Sequence, residues 1–108
     1  MVKPVAGEIV VIPFPRRDGE EHRPAFVIAD LPGADLILCQ ITSRAHLDGF
    51  VVTLDKSDCE RGEIDQPCYI RPQRLFTLEH HIILHSLGKV SEAKLAEVLK
   101  RSREFFVE

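Results

Sequence analysis

From residue 8 to residue 89 the chain alternates short apolar runs with turn-forming clusters, and its periodicity changes only afterwards. Runs this short, rich in Val, Ile, Phe and Thr, are strands rather than helices. The first covers residues 8–12 and ends at Pro13, a residue tolerated at strand ends and edges. Residues 15–22 read as a polar loop with Asp18-Gly19 near its middle. A second strand covers residues 25–29, Leu31-Pro32-Gly33-Ala34 turns the chain, and a third strand covers residues 35–41. That third run is nearly continuous in apolar residues, the pattern of a strand buried on both faces.

Residues 42–49 form a second polar loop and residues 50–54 a fourth strand. The stretch 55–67 is the most polar in the chain and reads as an exposed connection. Residues 68–71 and 74–77 read either as a bent strand pair or as one strand broken at Pro72. A further strand is expected over residues 82–89, where pattern alone also allows helix. Then the period changes. Ser91 is a good N-cap, Glu92 suits the positive end of a helix, and Leu95, Val98 and Leu99 recur at helical spacing. The sum is one mainly β domain over residues 1–108, a small, strongly bent barrel closed by a C-terminal α-helix over about 91–105.

Composition narrows function by exclusion. Of the 108 residues, 44% are hydrophobic and 29% charged, the balance of a folded soluble domain rather than a disordered chain. No apolar stretch approaches the roughly 20 residues of a spanning helix, so no membrane partner is expected. Met1-Val2-Lys3-Pro4 lacks the apolar core of a secretory signal, which makes the cytoplasm the expected compartment. A net charge of -3 argues against coating nucleic acid wholesale and leaves room for a local basic cleft. Cys39, Cys59 and Cys68 form no C-x-x-C pair, so neither a disulfide framework nor a cysteine zinc site is expected. His81 and His85 have the spacing of two metal ligands on a helix. On a strand that spacing separates them by about 13 Å. His80, His81 and His85 are therefore read as exposed histidines, and no metal or other cofactor is expected.

Gly7-Glu8-Ile9-Val10 opens one strand, His22-Arg23-Pro24-Ala25 leads the next, and Gln40-Ile41-Thr42-Ser43-Arg44 ends a third. Ile70-Arg71-Pro72-Gln73-Arg74-Leu75-Phe76-Thr77 and Leu87-Gly88-Lys89-Val90-Ser91 complete the set. In this order, from about residue 7 to about residue 105, the chain resembles the PemK/MazF family of toxins from bacterial and archaeal toxin–antitoxin pairs. The resemblance implies an SH3-like barrel and a homodimer. It also implies metal-independent cleavage of single-stranded RNA such as mRNA, and inhibition by a cognate antitoxin.

Arg23 precedes Pro24, which biases it towards extended backbone, and it stands close in sequence to Arg16 and Arg17. Arginine presents a planar fork that matches phosphate; a surface pair with Glu20 or Glu21 is the plainer role. Thr42 and Ser43 end a strand, where hydroxyls either donate to phosphate or cap the turn. The resemblance assigns Thr42 to the active-site loop and Arg71 to the family's arginine. Two residues beyond that arginine the family carries an aspartate, proposed in some members as an acid–base group. Here the residue is Gln73, which hydrogen-bonds but takes no proton near neutrality.

Metal-free RNA cleavage needs a base at the ribose 2′-OH, cations around the phosphorane and an acid for the leaving 5′ oxygen. Attack by the 2′-OH leaves a 2′,3′-cyclic phosphate. The catalytic set is read as Arg23, Thr42, Arg71 and Glu21, with Arg16, Arg17, His22, Ser43, Arg44, His46 and Gln73 contacting RNA. The base stays open among Glu21, His22 and His46. Two other classes compete. One is a nucleic-acid-binding module of the same fold that has lost cleavage, which Gln73 favours. The other is a toxin that acts on DNA gyrase by protein contact, against which the Arg23 and Thr42 motifs count.

Overall fold

The computed structural model describes residues 2–44 and 49–106. In chain order these form β1 (Glu8–Arg16), β2 (Gly19–Asp30), β3 (Asp35–Thr42), β4 (Val52–Leu54), β5 (Cys59–Gly62), β6 (Cys68–Glu79), β7 (His85–Val90) and α1 (Glu92–Phe105). The strands make one antiparallel sheet in the order β4-β6-β3-β2-β1-β7-β5. A flat sheet of that width would hold β4 far from β7. Instead Val52 and Leu54 of β4 share a buried cluster with Val90 of β7, together with Ile9, Phe26, Cys39, Ile41 and Ile70. The sheet therefore curls into an SH3-like barrel, and α1 covers its core with Val98 and Leu95.

Bulges supply the bend. Along β3 and β6 the register jumps from Cys39↔Leu75 to Gln40↔Arg71, so Pro72, Gln73 and Arg74 are extra residues on β6. Of the two readings at Pro72 the second holds: residues 68–79 are one strand, with its pairing interrupted by this bulge. A second apolar cluster, Val10, Ile12, Ala25, Val27, Leu36, Leu38 and Ile83, lies on the opposite face of the sheet. Alternate residues of β3 feed both clusters, Leu36 and Leu38 one, Cys39 and Ile41 the other. Burial on both faces is what its continuous apolar sequence predicts. The helix likewise starts where expected, with the Ser91 hydroxyl accepting from the Lys94 N–H at 3.2 Å.

Four expectations need correction. Residues 15–22 are no loop: β1 and β2 pair as far as Arg16↔Gly19, leaving Arg17 and Asp18 as the turn. Pairing with β7 stops at Val11, and beyond Ile12 this hairpin is a two-stranded ribbon with no apolar cluster on either face, which explains its polar sequence. The connection 55–67 contains a 3-10 turn (Lys56–Asp58) and β5, and it buries Ile64. The strand expected over residues 50–54 is only Val52–Leu54, and that over 82–89 begins at His85, after a 3-10 turn at His80–Ile82. Among the described residues no helix is long and apolar enough to cross a membrane.

Two features brace the end of the barrel that carries the site. Glu8 is only 7% exposed, yet its carboxylate accepts from the Val5 N–H at 2.6 Å and the Ser86 hydroxyl at 3.0 Å, with Arg61 at 3.7 Å. A buried carboxylate with these partners ties β1 to β5 and β7. Gly62 and Gly88 face each other across β5 and β7, both at positive φ (+71° and +155°). A Cβ on Gly62 would stand 2.1 Å from the Leu87 carbonyl oxygen, so only glycine allows this crossing.

Candidate functional site

An open cleft of about 800 Å³ lies where β2 and β3 emerge from the barrel and the segment 63–66 passes opposite them. The register of the sheet decides what faces it. Arg23 lies on β2 opposite Ile12, two residues before Ala25, the point at which β2 also begins to pair with β3 through Gln40. Pro24, which has no N–H, sits just outside the β2–β3 ladder and so breaks no bond in it. Gln40 and Arg71 are direct cross-strand partners at the β6 bulge, and the Arg71 Nη1 donates to the Gln40 Oε1 at 3.4 Å. Thr42 ends β3, and its Oγ1 accepts from the Arg44 N–H at 3.2 Å. That bond is the turn-capping role; the hydroxyl keeps its own proton to donate.

Glu21 sits between two arginines. Its Oε2 lies 3.3 Å from Arg23 Nη2 and 3.5 Å from Arg16 Nη1. The Arg23 guanidinium also lies over the Phe14 ring, 4.5 Å from its centre, so both an acid and an aromatic face hold it in place. His22, exposed beside the cleft, has Nε2 at 3.2 Å from Glu20.

Of the residues singled out from sequence, Glu21, His22, Arg23, Thr42, Ser43, Arg44 and Arg71 line this one cleft. Arg16 joins through Glu21, whereas Arg17 stands at the exposed hairpin turn. Gln73 does not line the cleft; it sits in the β6 bulge with its side-chain oxygen buried. His46 lies outside the described residues. Two contributors were missed. Gln40 orients Arg71, and its signal was a lone amide within an apolar run. The segment Glu63-Ile64-Asp65-Gln66 forms the facing wall, and nothing local announces it, because the β5–β7 crossing brings it there.

The sequence matches the model of the PemK-like, MazF-like toxins of type II toxin–antitoxin systems over residues 6–106. The chain belongs to this family. The fold agrees with solved structures. A MazE–MazF structure from Deinococcus radiodurans superposes with a TM-score of 0.77 at 23% identity, covering 97% of each chain. An endoribonuclease from a mycobacterial species gives 0.72 at 16% identity, covering 98% of this chain and 93% of that one. A mycobacterial endoribonuclease in complex with its cognate antitoxin gives 0.71 at 17%, covering 98% and 95%. No curated protein matches the chain.

The cleft is cationic on one wall and acidic on the other. Guanidinia at Arg23, Arg44 and Arg71 suit a phosphodiester, and hydroxyls at Thr42 and Ser43 can donate to its oxygens. Cys68 also lines the cleft, but burial, reinforced by Cys59 nearby, pushes its thiol up to about 11, so it stays protonated. Burial raises Cys39 further still. Among the described residues no three His, Cys, Asp or Glu side chains form a group that could hold a metal ion. His81 has its Nε2 3.5 Å from Glu79.

Proposed function

We propose that the chain is an endoribonuclease toxin that cleaves single-stranded RNA without a metal and is neutralised by a cognate antitoxin. The observation that carries this is the convergence of Arg23, Arg71, Thr42 and Glu21 on one cleft, the first three lying in the motifs by which the sequence resembles the family. A solved relative is an endoribonuclease bound to its cognate antitoxin, which supports both halves of the reading.

In this mechanism the scissile phosphate rests on Arg23 and Arg71, with Gln40 holding Arg71 in position. Thr42 and Ser43 donate to its non-bridging oxygens. The arginines stabilise the phosphorane, since their pKa is too high for proton transfer. Glu21 or His22 removes the 2′-OH proton, the 2′ oxygen bonds to phosphorus as the P–O5′ bond breaks, and the departing 5′ oxygen takes its proton from solvent in the open cleft, which leaves a 2′,3′-cyclic phosphate and a 5′-hydroxyl end. Glu21 is the better placed of the two, as the two guanidinia around it fix its carboxylate beside the phosphate-binding arginine. The protein acts in the cytoplasm as a homodimer. Its antitoxin lays an acidic segment over Arg23 and Arg71, in imitation of phosphate.

One observation favours a second reading, a nucleic-acid-binding module without cleavage: Gln73 stands where the family carries an aspartate. The test is incubation of the purified protein with mixed single-stranded RNA, with and without EDTA, followed by end-group analysis. Cleavage that survives EDTA, leaves cyclic phosphate and falls by about two to three decades in Arg23→Ala is expected. Loss with EDTA and rescue by a divalent ion would overturn the metal-free mechanism. Tight binding without cleavage would establish the second reading.

A further inference from the structure

A second hollow opens on the far side of Arg23. It measures about 260 Å³ and shares Arg23, Pro24 and Gln40 with the cleft. Its remaining walls are mostly apolar, with Phe14 from β1 and Phe76 from β6, and Arg74 also borders it. It exists because the second apolar cluster runs out before the sheet does. Val10 and Ile12 are buried in that cluster, and the next residue on the same face, Phe14, is 42% exposed. The Phe14 ring carries the Arg23 guanidinium 4.5 Å from its centre, and the part of it that stays exposed borders this hollow.

We infer that this hollow receives one unstacked base of the RNA strand whose phosphate lies on Arg23 and Arg71. The inference rests on the ribonuclease reading and adds the path of the strand beside the cut. An aliphatic protein segment would fit the two rings but would leave the guanidinia of Arg23 and Arg74 facing apolar surface. A nucleotide satisfies both. Its base offers a flat π-face to Phe14 and a polar edge to the Gln40 amide. Its flanking phosphates offer charge to the arginines on either side. Continuity through Arg23, Pro24 and Gln40 means that a strand leaving the cleft enters the hollow without crossing other surface. Stacking on phenylalanine tolerates any base, so the hollow sets affinity and strand register rather than the identity of the base.

The test pairs a substitution in the protein with a deletion in the RNA. Phe14→Leu keeps an apolar side chain and removes the ring. An abasic site is scanned along a short single-stranded RNA, and both cleavage and binding, by fluorescence anisotropy, are measured for the native chain and Phe14→Leu. The native chain is expected to lose about tenfold in affinity and KM at one abasic position, with kcat little changed. In affinity, Phe14→Leu should lose about as much on intact RNA and nothing further on that abasic RNA, while its kcat falls on both because the ring also holds Arg23. Additive losses would show that ring and base never meet, and would overturn the subsite while leaving the nuclease standing. Coupled losses in binding with no cleavage would uphold the subsite and overturn the nuclease. A changed mass of Phe14→Leu in light scattering, with unchanged base dependence, would assign the hollow to a contact between copies and overturn the inference.

Discussion

Replacing Gly62 with alanine strikes the crossing that holds the acidic wall of the cleft in place. The added Cβ would stand 2.1 Å from the Leu87 oxygen, 2.5 Å from the Gly88 Cα and 3.0 Å from the Leu87 carbonyl carbon. All three are backbone atoms of the paired strand, so no side chain can swing aside. Unstrained contacts between carbon atoms lie at about 3.5–4.0 Å, so the two backbones must part by about 1 Å or more. Such overpacking costs about 1–3 kcal/mol. The left-handed backbone at φ +71° costs a β-carbon a further 1–2 kcal/mol or about that. The expected loss is therefore about 2–5 kcal/mol. Gly33 supplies the control, because it has φ +80° and no heavy atom within 4 Å of an added Cβ. Gly33→Ala should lose only the conformational part, about 1–2 kcal/mol. Urea denaturation followed by circular dichroism reads the difference. With m of about 1–3 kcal/mol/M, the Gly62→Ala midpoint should fall about 1 M below that of Gly33→Ala. Equal midpoints would refute the argument that close backbone approach, rather than φ alone, requires glycine at this position.

Glu8→Ala should cost about 2–3 kcal/mol in the same assay, because it orphans the Val5 N–H and the Ser86 hydroxyl, whereas Arg61→Ala, at an exposed partner, should cost under about 1 kcal/mol. Gln73→Asp should leave single-turnover cleavage unchanged or slower, since the side chain does not line the cleft; a rise of about 10²–10⁴-fold would assign proton transfer to that position. Burial lifts the Cys68 thiol from 9.0 to about 11, so above pH 9 the unfolded chain releases a proton that the folded chain keeps. Stability should therefore drain away between pH 9 and about 11, less steeply in Cys68→Ala, and an identical slope in that variant would refute the assignment.

Much of the fold was legible because local chemistry and tertiary structure ask for the same residues. The switch of period at Ser91 marks the helix, and both buried faces of β3 are written in its continuous apolar run. The hairpin was misread for the converse reason. Beyond Ile12 it has no third strand and no core to face, so a strand there has the composition of a loop. Likewise β5 sits at the edge of the sheet, where backbone pairing with β7 needs no apolar sequence to announce it.

The cleft divides along the same line. The sequence by itself determined its chemistry: Arg23 made extended by Pro24, hydroxyls at the end of a strand, and Arg71 before the break at Pro72. Only the tertiary structure decided which of these meet. A bulge of Pro72, Gln73 and Arg74 places Arg71 opposite Gln40 and leaves Gln73 out of the cleft, although it lies just two residues further along the chain. The crossing of Gly62 and Gly88 carries Glu63 and Asp65 to the facing wall. The physical reason is that residue type sets what a side chain can do. Register sets where it points, and register is a sum over distant strand pairings that no local window contains.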